Sequence, residues 1–481
     1  MWLAGQVGGS GGKIGGLTPF GEGFATGTHS PVATSSALSG RQNGAQALAP
    51  AVSPGRHAEL TAGVTTTTPA IGTAANAAAD ANRLRMCLMV AHSLTPGYGS
   101  LNGVTSRKRV VIAGLGDSGV LTAIRLAKHF DVVGISAKPA LVSGQELGWR
   151  LSRPEEWARA NWIPFDRFRA LDGVRTVHGT LTGLDLDSRT VTVRGGDGSS
   201  VDEPFDALVI STGVANGFWR TPNLQSHKDI GDDLRSTHDR LADARSVIVV
   251  GGGAAAISSA AQIATTWPDK RVDLYFPGER ALPSHHPRTW NKVRQRLSDA
   301  GVRMHPGHRA VIPDGFSCDE ITDEPVRWST GQAQASADAV VWAIGRVRPN
   351  TEWLPAELLD EQGFVRVTPQ LQVPGHPNVF AVGDVAATDP LRSSARNRGD
   401  GVLAGNVRAA FENKPLRSYR APKRRWGSVL GVQPDGLEVF TPKGQAFRFP
   451  AWSFDRVLMP VIVRWGIYRG VRDNRPISLA R

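Results

Sequence analysis

The stretch RVVIAGLGDSGVLTAIRLAKHFDVVGIS, Arg109 to Ser136, decides the fold of this chain. A β-branched run is followed by Gly114, Gly116 and Gly119, then by apolar residues at helical spacing, then by a second apolar run. Strand, glycine-rich turn, helix and strand in this order are typical of a dinucleotide-binding unit. The sequence therefore predicts a nucleotide site at the turn.

Each glycine has its own task in such a unit. The first allows a tight turn, the second lets the backbone approach a diphosphate, and the third lets helix and strand pack closely. The diphosphate then faces the positive N-terminal end of the helix. A purely structural turn is the alternative, and the strands on both sides favour the nucleotide site.

The charge of the chain is concentrated near its end. The 481 residues are enough for two or three domains and carry a net charge of +12, with 45 Arg but only 10 Lys. From Pro415 onward, 13 Lys or Arg oppose four acids, so +9 of the +12 lies there. Such charge suits nucleic acid or an anionic membrane. Because nucleic-acid motifs are missing from the sequence, we predict no nucleic-acid partner.

Cysteine usage excludes several classes of protein. Cys87 and Cys318 are far apart and the sequence has no CxxC, which argues against a disulfide scaffold, a structural zinc site and a redox-active cysteine pair. We expect a reducing, cytoplasmic location. The sequence has no run of 18 apolar residues, so we predict no transmembrane helix. His285 and His286 lack further ligands at useful spacing, so no metal is predicted.

Residues 1–106 are rich in Ala, Gly, Ser and Thr. Such a segment buries too little apolar surface to offset its ordering entropy, so we predict disorder. An organellar transit peptide is one alternative. Another is an over-extended start, because Met86 and Met89 stand just before the folded part.

A second dinucleotide unit follows in SVIVVGGGAAAISSAAQIATTW, Ser246 to Trp267. It again has a strand, a turn (Gly251, Gly252 and Gly253) and a helix, with Ala256 where the third glycine belongs. A polar connecting helix is expected before it. Three further buried strands end in small residues, namely FDALVISTG (Phe205–Gly213), DAVVWAIG (Asp338–Gly345) and NVFAVGD (Asn378–Asp384).

The tail has a different pattern. Three short strands separated by Pro-Asp-Gly and Pro-Lys-Gly predict a meander. They are Val429–Val432, Leu437–Thr441 and Ala446–Phe449. The apolar stretch Val457–Tyr468 is too short to span a bilayer.

The ordered set of two glycine turns, STG, AIG and late FAVGD resembles the two-dinucleotide-domain flavoprotein family that includes type II NADH dehydrogenases and disulfide reductases. The resemblance covers about residues 107–415. The text EQGFVRVTPQLQVPGHPNVFAVGDVA looks most like the apoptosis-inducing-factor-like branch that contains the ferroptosis suppressor protein.

The resemblance implies FAD in the first unit and NAD(P)H in the second. Asp384 would hydrogen-bond the FAD ribityl chain, with a helix N-cap as the alternative role. The cofactor-binding residues it implies are Gly114, Gly116, Gly119, Thr212, Gly213, Gly383 and Asp384 for FAD, and Gly251, Gly252, Gly253, Arg280 and Gly345 for NAD(P)H.

Several positions depart from the family pattern. The acids that usually bind the two adenosine riboses fall at Ser136 and Phe276. Arg280, with Lys270 and Arg271 nearby, would suit a 2'-phosphate, which favours NADPH over NADH. The family's Glu near the nicotinamide aligns with Ser258, and its Lys near the flavin aligns with Leu391, next to Arg392.

We therefore predict an α/β protein with two Rossmann-like dinucleotide-binding domains, one inserted in the other, and a small α+β C-terminal domain. The FAD domain comprises 107–226 and 340–415, the NAD(P)H domain 227–339, and the basic C-terminal domain 416–481. No catalytic residue is identified.

The resemblance implies electron transfer from NAD(P)H to a quinone-like acceptor at a membrane surface. The basic tail, with interleaved aromatic residues, suits an anionic membrane. A homodimerisation or flavin-covering role of the tail is the alternative. Reduction of a small iron-sulfur protein, or a non-enzymatic redox sensor with a degraded nicotinamide site, are the alternative functions.

Overall fold

The computed structural model describes residues 107–143, 146–215, 221–345, 347–388, 399–420 and 427–472. The region 1–106, for which we predicted disorder, lies outside these residues. So do Leu391 and Arg392.

Strands and helices alternate through the described chain. In the first part they are β1 (Arg109–Ala113), α1 (Asp117–Leu126), β2 (Asp131–Ser136), β3 (Ala140–Val142), α2 (Leu147–Ser152), α3 (Pro154–Asn161), β4 (Trp162–Pro164), β5 (Val174–His178), β6 (Thr180–Asp185), β7 (Thr190–Arg194), β8 (Ser200–Pro204), β9 (Ala207–Ile210) and β10 (Val214–Ala215). Next come α4 (His227–Asp243), β11 (Ser246–Val250), α5 (Ala254–Thr266), β12 (Arg271–Tyr275), α6 (Pro287–Asp299), β13 (Arg303–His305) and β14 (Ala339–Trp342). The last are β15 (Arg348–Pro349), β16 (Gln372–Val373), β17 (His376–Ala381), α7 (Asp400–Phe411), β18 (Val432–Gln433), β19 (Gly436–Phe440), β20 (Ala446–Pro450), α8 (Ala451–Ser453) and a π-helix, Phe454–Ile467, called the terminal helix.

The first sheet has the strand order β16-β17-β9-β1-β2-β5. All its pairings are parallel except β16 with β17. The side chains of β1 alternate between two cores: Val110 and Ile112 pack toward α1 and α7, whereas Val111 and Ala113 face the opposite side. Because the central strands are buried on both faces, their sequences are continuous apolar runs.

The second sheet is fully parallel, with the order β13-β12-β11-β14. Strand β14 pairs with β11, so this sheet continues past residue 340, and the predicted boundary at 340 is too early. The other predicted domain boundaries stay predictions. The polar helix expected before the unit is α4, which begins with a capping box between Ser226 and Asp229.

The predicted C-terminal meander is present as the antiparallel sheet β18-β19-β20. Its first strand is shorter than expected, because Val429 and Leu430 are instead buried in the core of the second unit. Strand β19 faces α6 of that unit, where Lys292 Nζ lies 2.6 Å from the buried Glu438 carboxylate. The sheet is therefore fixed to the second unit by apolar contacts and an ion pair.

The terminal helix has one buried and one exposed apolar stripe. Its residues Phe454, Leu458, Val463 and Ile467 are buried. The stripe Val457, Val461, Ile462 and Trp465, with Trp452 of α8 before it, is exposed. The buried residues recur every four or five positions, as expected for the wide turns of a π-helix.

Candidate functional site

The first glycine turn, between β1 and α1, is built as the sequence predicts. Gly114 has φ +103°, and a Cβ there would lie 2.6 Å from the Ser211 carbonyl oxygen. A Cβ on Gly119 would lie 1.9 Å from the Gly114 oxygen. At Gly116, no described atom lies within 4 Å of a Cβ. Gly114 and Gly119 therefore allow close packing, and Gly116 faces open space at the start of α1.

A cavity of about 350 Å³ opens at this turn, and we call it the first cavity. It lies where β1, β2, β9 and β17 end, at the carboxyl edge of the sheet, which is where α/β proteins bind ligands. Of the residues predicted to bind FAD, those that line it are Gly114, Gly116, Thr212, Gly213, Gly383 and Asp384. Gly119 lies behind the turn, where it permits close packing.

The Ser-Thr-Gly turn after β9 is held by hydrogen bonds. Ser211 Oγ donates to the Gly114 oxygen at 2.7 Å. Thr212 Oγ1 donates to the Asn350 oxygen at 2.8 Å, and Asn350 Nδ2 donates back to the Thr212 oxygen at 2.9 Å. Asn350 and its neighbour Trp353 also line the first cavity. Sequence reasoning missed both, because their contacts cross more than 130 residues.

Asp384 is 6 % exposed and follows Gly383, which has φ +87°. The described residues after it form turns, and the next described helix, α7, begins at Asp400 with Gly399 as its N-cap. Asp384 therefore does not cap α7. A buried carboxylate in the wall of the cavity suits hydroxyl donors of a bound cofactor.

The edge of the first cavity beside the end of β2 carries a lysine. Ser136 Oγ accepts a hydrogen bond from the Lys138 backbone N–H at 3.1 Å. The Lys138 ammonium donates to the Thr221 oxygen at 2.7 Å. Burial lowers the pKa of Lys138 to about 8; the positive Arg150 adds to the decrease and Asp233 opposes it.

The second glycine turn repeats the same design. Gly251 has φ +143°, and a Cβ there would lie 2.2 Å from the Ala343 oxygen. Gly253 is the N-cap of α5, and no described atom lies within 4 Å of a Cβ on it or on Gly345. The backbone N–H of Leu282 donates to the Gly252 oxygen at 2.7 Å, so the loop after β12 closes against the turn.

The structure changes the expectation for the cations of this unit. Arg280 donates to the main-chain oxygens of Leu282 and His285 at 3.2 Å and of Pro283 at 3.1 Å, so it holds its own loop together. Its role toward a 2'-phosphate stays a prediction.

Lys270 and Arg271 cannot assist Arg280 in binding a 2'-phosphate. They stand at the amino end of β12, about 16 Å of strand away from the glycine turn. Lys270 instead donates to the Ala242 oxygen at 2.6 Å.

Other predicted positions have structural roles. Ser258 is buried and donates to the Ala255 oxygen at 3.2 Å, within its own helix. His286 accepts the Arg288 N–H as the N-cap of α6. Burial lowers the pKa of His285, and Arg280 adds to this. Within the described residues, no group of side chains suits a metal ion.

The aromatic residues between β3 and β5 belong to the core. They are buried, and none is among the residues lining the first cavity: Trp149, Trp157, Trp162, Phe165 and Phe168. Trp149 instead borders a small cavity below the terminal helix.

Residues 108–405 match the pyridine nucleotide-disulphide oxidoreductase family. Ferroptosis suppressor protein 1 from Xenopus tropicalis is 27 % identical over 338 residues, which are 67 % of this chain and 86 % of that protein. The fold is similar to that of NDH2 from Plasmodium falciparum in complex with NADH, with a TM-score of 0.57 and 13 % identity over 76 % of this chain and 96 % of that one. It is also similar to the ferredoxin reductase for the CYP199A2 system from Rhodopseudomonas palustris, with a TM-score of 0.53 and 22 % identity over 69 % and 82 % of the two chains.

These matches confirm the predicted α/β fold class and the resemblance from which it was argued. They also confirm FAD and NAD(P)H as the cofactors, which the two open glycine turns can accommodate. The assignment of single residues to each cofactor stays a prediction. The chain belongs to the pyridine nucleotide-disulphide oxidoreductase family.

Proposed function

We propose that this FAD-dependent NAD(P)H oxidoreductase passes its electrons to a quinone-like acceptor without a redox disulfide. The sequence has only two cysteines, Cys87 and Cys318. Cys318 is buried in a core of the second unit, against Val340 and Trp342, and does not line the first cavity. Electrons that leave the flavin site therefore need a small molecule or a protein as acceptor.

The observation that carries this proposal is an apolar cavity of about 60 Å³ below the terminal helix. Most of its lining is apolar and comes from the β3–β4 pair, α2, α3, the C-terminal sheet and the terminal helix, with Leu141, Ala160 and Leu458 among the residues. The polar residues Ser143, Glu146 and Asn161 line it as well. The apolar part of this lining suits the apolar part of an acceptor better than a charged substrate. At about 60 Å³ the cavity is a contact point for such an acceptor and does not enclose a whole ring and chain, since ligand pockets measure about 300–1,000 Å³.

A single strand separates this apolar cavity from the first cavity. Ala140 and Val142 of β3 line the first cavity, whereas Leu141 lines the apolar cavity, as the alternation of side chains along a strand requires. At the end of β3, Ser143 Oγ donates to Asp117, which lines the first cavity, at 3.3 Å. An acceptor below the terminal helix would thus lie one strand from the flavin site.

The residues of the chain have defined tasks in this reaction. Open space at Gly116 and Gly253 leaves room for the two diphosphates beside the N-termini of α1 and α5. When bound, FAD supplies the hydride-accepting and electron-donating chemistry. NAD(P)H gives up a hydride, which is two electrons and one proton. The quinone takes up the two electrons and two protons, the second proton coming from solvent, and becomes a quinol. The protein contributes mainly position and a dry, apolar approach.

The exposed stripe of the terminal helix supports a peripheral position on a membrane. Five large apolar side chains between Trp452 and Trp465 are 41–74 % exposed, and Arg456 and Arg469 are exposed beside them. An apolar stripe with flanking cations suits the surface of an anionic bilayer. Among the described helices, none is long and apolar enough to cross a bilayer.

Flavin reduction followed by stopped-flow absorbance tests the enzymatic function. We expect NADH or NADPH to bleach the bound flavin; if neither does so at millimolar concentration, the redox-sensor alternative is favoured. Ala160→Leu would fill the apolar cavity. It should slow reoxidation of the flavin by a ubiquinone analogue at least tenfold and leave reoxidation by ferricyanide unchanged. Equal effects on both acceptors would contradict the proposed acceptor site.

A small acidic iron-sulfur protein is the second candidate acceptor. The excess of nine positive charges after Pro415 favours it, because such charge would dock an acidic partner. Reduction of a ferredoxin faster than of the quinone analogue, with a rate that falls steeply with salt, would establish this alternative.

A further inference from the structure

The adenosine end of the first cavity differs from the usual dinucleotide site. In that site, a carboxylate after the second strand accepts the ribose hydroxyl. Here β2 ends at Ser136, whose hydroxyl oxygen already accepts the Lys138 N–H. The charged side chain at this edge is therefore that of Lys138, a donor, and not the usual carboxylate.

Lys138 lies between two cavities. It lines the first cavity and also a cavity of about 360 Å³ that contains His178 and His227. An ammonium group has three donors, and one of them is used by the Thr221 oxygen. Two donors remain for a ligand.

The charge of Lys138 is not neutralised by a close acid. Among the described residues, the acid that acts on its ammonium group is Asp233, through its charge and not through a hydrogen bond. Lys138 is half-buried, and a partly desolvated cation without a close counter-ion is costly; a ligand that brings acceptor oxygens reduces this cost. Because the neighbouring wall belongs to the nucleotide cavity, the ligand best placed to do so is the cofactor.

We propose that Lys138 binds the adenosine half of FAD and takes the place of the missing carboxylate as a donor. The inference rests on FAD as the cofactor of the first unit. It makes Lys138 a positioning residue, since the adenosine half takes no part in the redox step. The polarity of the contact is inverted: the ribose and adenine offer their oxygen and nitrogen acceptors to the ammonium group.

Binding to the full-length chain after reversible removal of FAD tests this role without any measure of turnover. Lys138→Met should weaken both FAD and ADP about 10- to 100-fold in calorimetric titrations, the effect of losing a hydrogen bond to a charged group. Lys138→Arg should retain most of the affinity for both ligands. Lys270→Met is the control, since this lysine also donates to main-chain oxygens but stands far from the first cavity.

The wild-type chain supplies a second test. FAD affinity should be constant below pH 8 and fall about tenfold per unit above it, as the ammonium group loses its proton. The charged and titratable groups around Lys138 are Arg150 on α2, Asp233 and His227 on α4, His178 on β5, and Asp166 and Arg167 after β4. Asp117, Glu352 and Asp384 line the first cavity together with Lys138. In Lys138→Met this dependence above pH 8 should be absent.

Unchanged binding of both ligands by Lys138→Met, or a flat pH profile of the wild type, would overturn the proposal. Loss of FAD affinity with normal ADP affinity would also overturn it, because the contact would then lie on the flavin half. Failure of the wild-type chain to bind FAD at all would remove the cofactor assignment as well.

Discussion

Replacement of Trp465 tests the proposed membrane contact most directly. This residue is 74 % exposed at the end of the apolar stripe. About 150 Å² of exposed indole surface would give about 4 kcal/mol if it left water completely. At the bilayer interface the polar edge of the ring stays wet, so we take half, about 2 kcal/mol. Trp465→Ala should therefore weaken membrane binding about 30-fold.

Two valines of similar exposure supply a matched comparison. Val461 lies on the stripe and is 50 % exposed, whereas Val201 lies on β8 in the sheet β6-β7-β8 and is 56 % exposed. Val461→Ala should weaken membrane binding about 4-fold, because it removes half-exposed methyl groups whose transfer out of water contributes about 0.8 kcal/mol. Val201→Ala should have no effect.

Co-sedimentation with phosphatidylserine and phosphatidylcholine vesicles gives the partition coefficients. Binding should be weaker at high salt and on vesicles without phosphatidylserine, because Arg456 and Arg469 interact with the headgroup charge. Equal binding of wild type and Trp465→Ala, or equal loss with Val201→Ala, would refute the reasoning. A second copy of the chain could cover the stripe in place of a membrane, and sedimentation equilibrium without vesicles tests this. A dimer that Trp465→Ala dissociates would assign the stripe to that second copy.

Three further predictions concern the nucleotide sites. In the chain without FAD, Lys138→Met should raise the free energy of unfolding at pH 7 by about 3 kcal/mol, because the pKa of Lys138 is about 8 in the folded chain and 10.5 in the unfolded chain. This gain in stability should disappear as the pH rises from 8 to 10.5. A gain that stays constant with pH in urea titrations would contradict the prediction. Gly116→Ala should weaken FAD binding while the fold stays stable, whereas Gly119→Ala should lower the melting temperature, because its methyl group would overlap the Gly114 oxygen; differential scanning fluorimetry with and without FAD separates the two effects. Arg280→Met should weaken NADH and NADPH equally, since the guanidinium holds its own loop, and a loss confined to NADPH in flavin-bleaching titrations would establish the 2'-phosphate contact.

The sequence by itself determined the two dinucleotide units. The turn at Gly114, Gly116 and Gly119 and the turn at Gly251 to Gly253 each follow a buried strand and begin a helix, as predicted. These features are local, because strand period, glycine conformations and helix spacing act within about ten residues. The ends of the distant strands β9 and β17 could also be placed, since parallel strands that end in small residues meet at one edge of a sheet.

Only the tertiary structure decided which side chains meet across the chain. Lys270 and Arg271 are close to the cofactor position in sequence, but the length of β12 carries them to the opposite edge. Lys138 meets Thr221, and β3 separates two cavities, through contacts that no local pattern encodes. The buried stripe of the terminal helix repeats at the spacing of a π-helix, whereas sequence patterns are analysed with the α-helical period. Sequence thus determined the strands, turns and helices, while long-range packing determined which charges and apolar surfaces lie beside the two cavities and along the terminal helix.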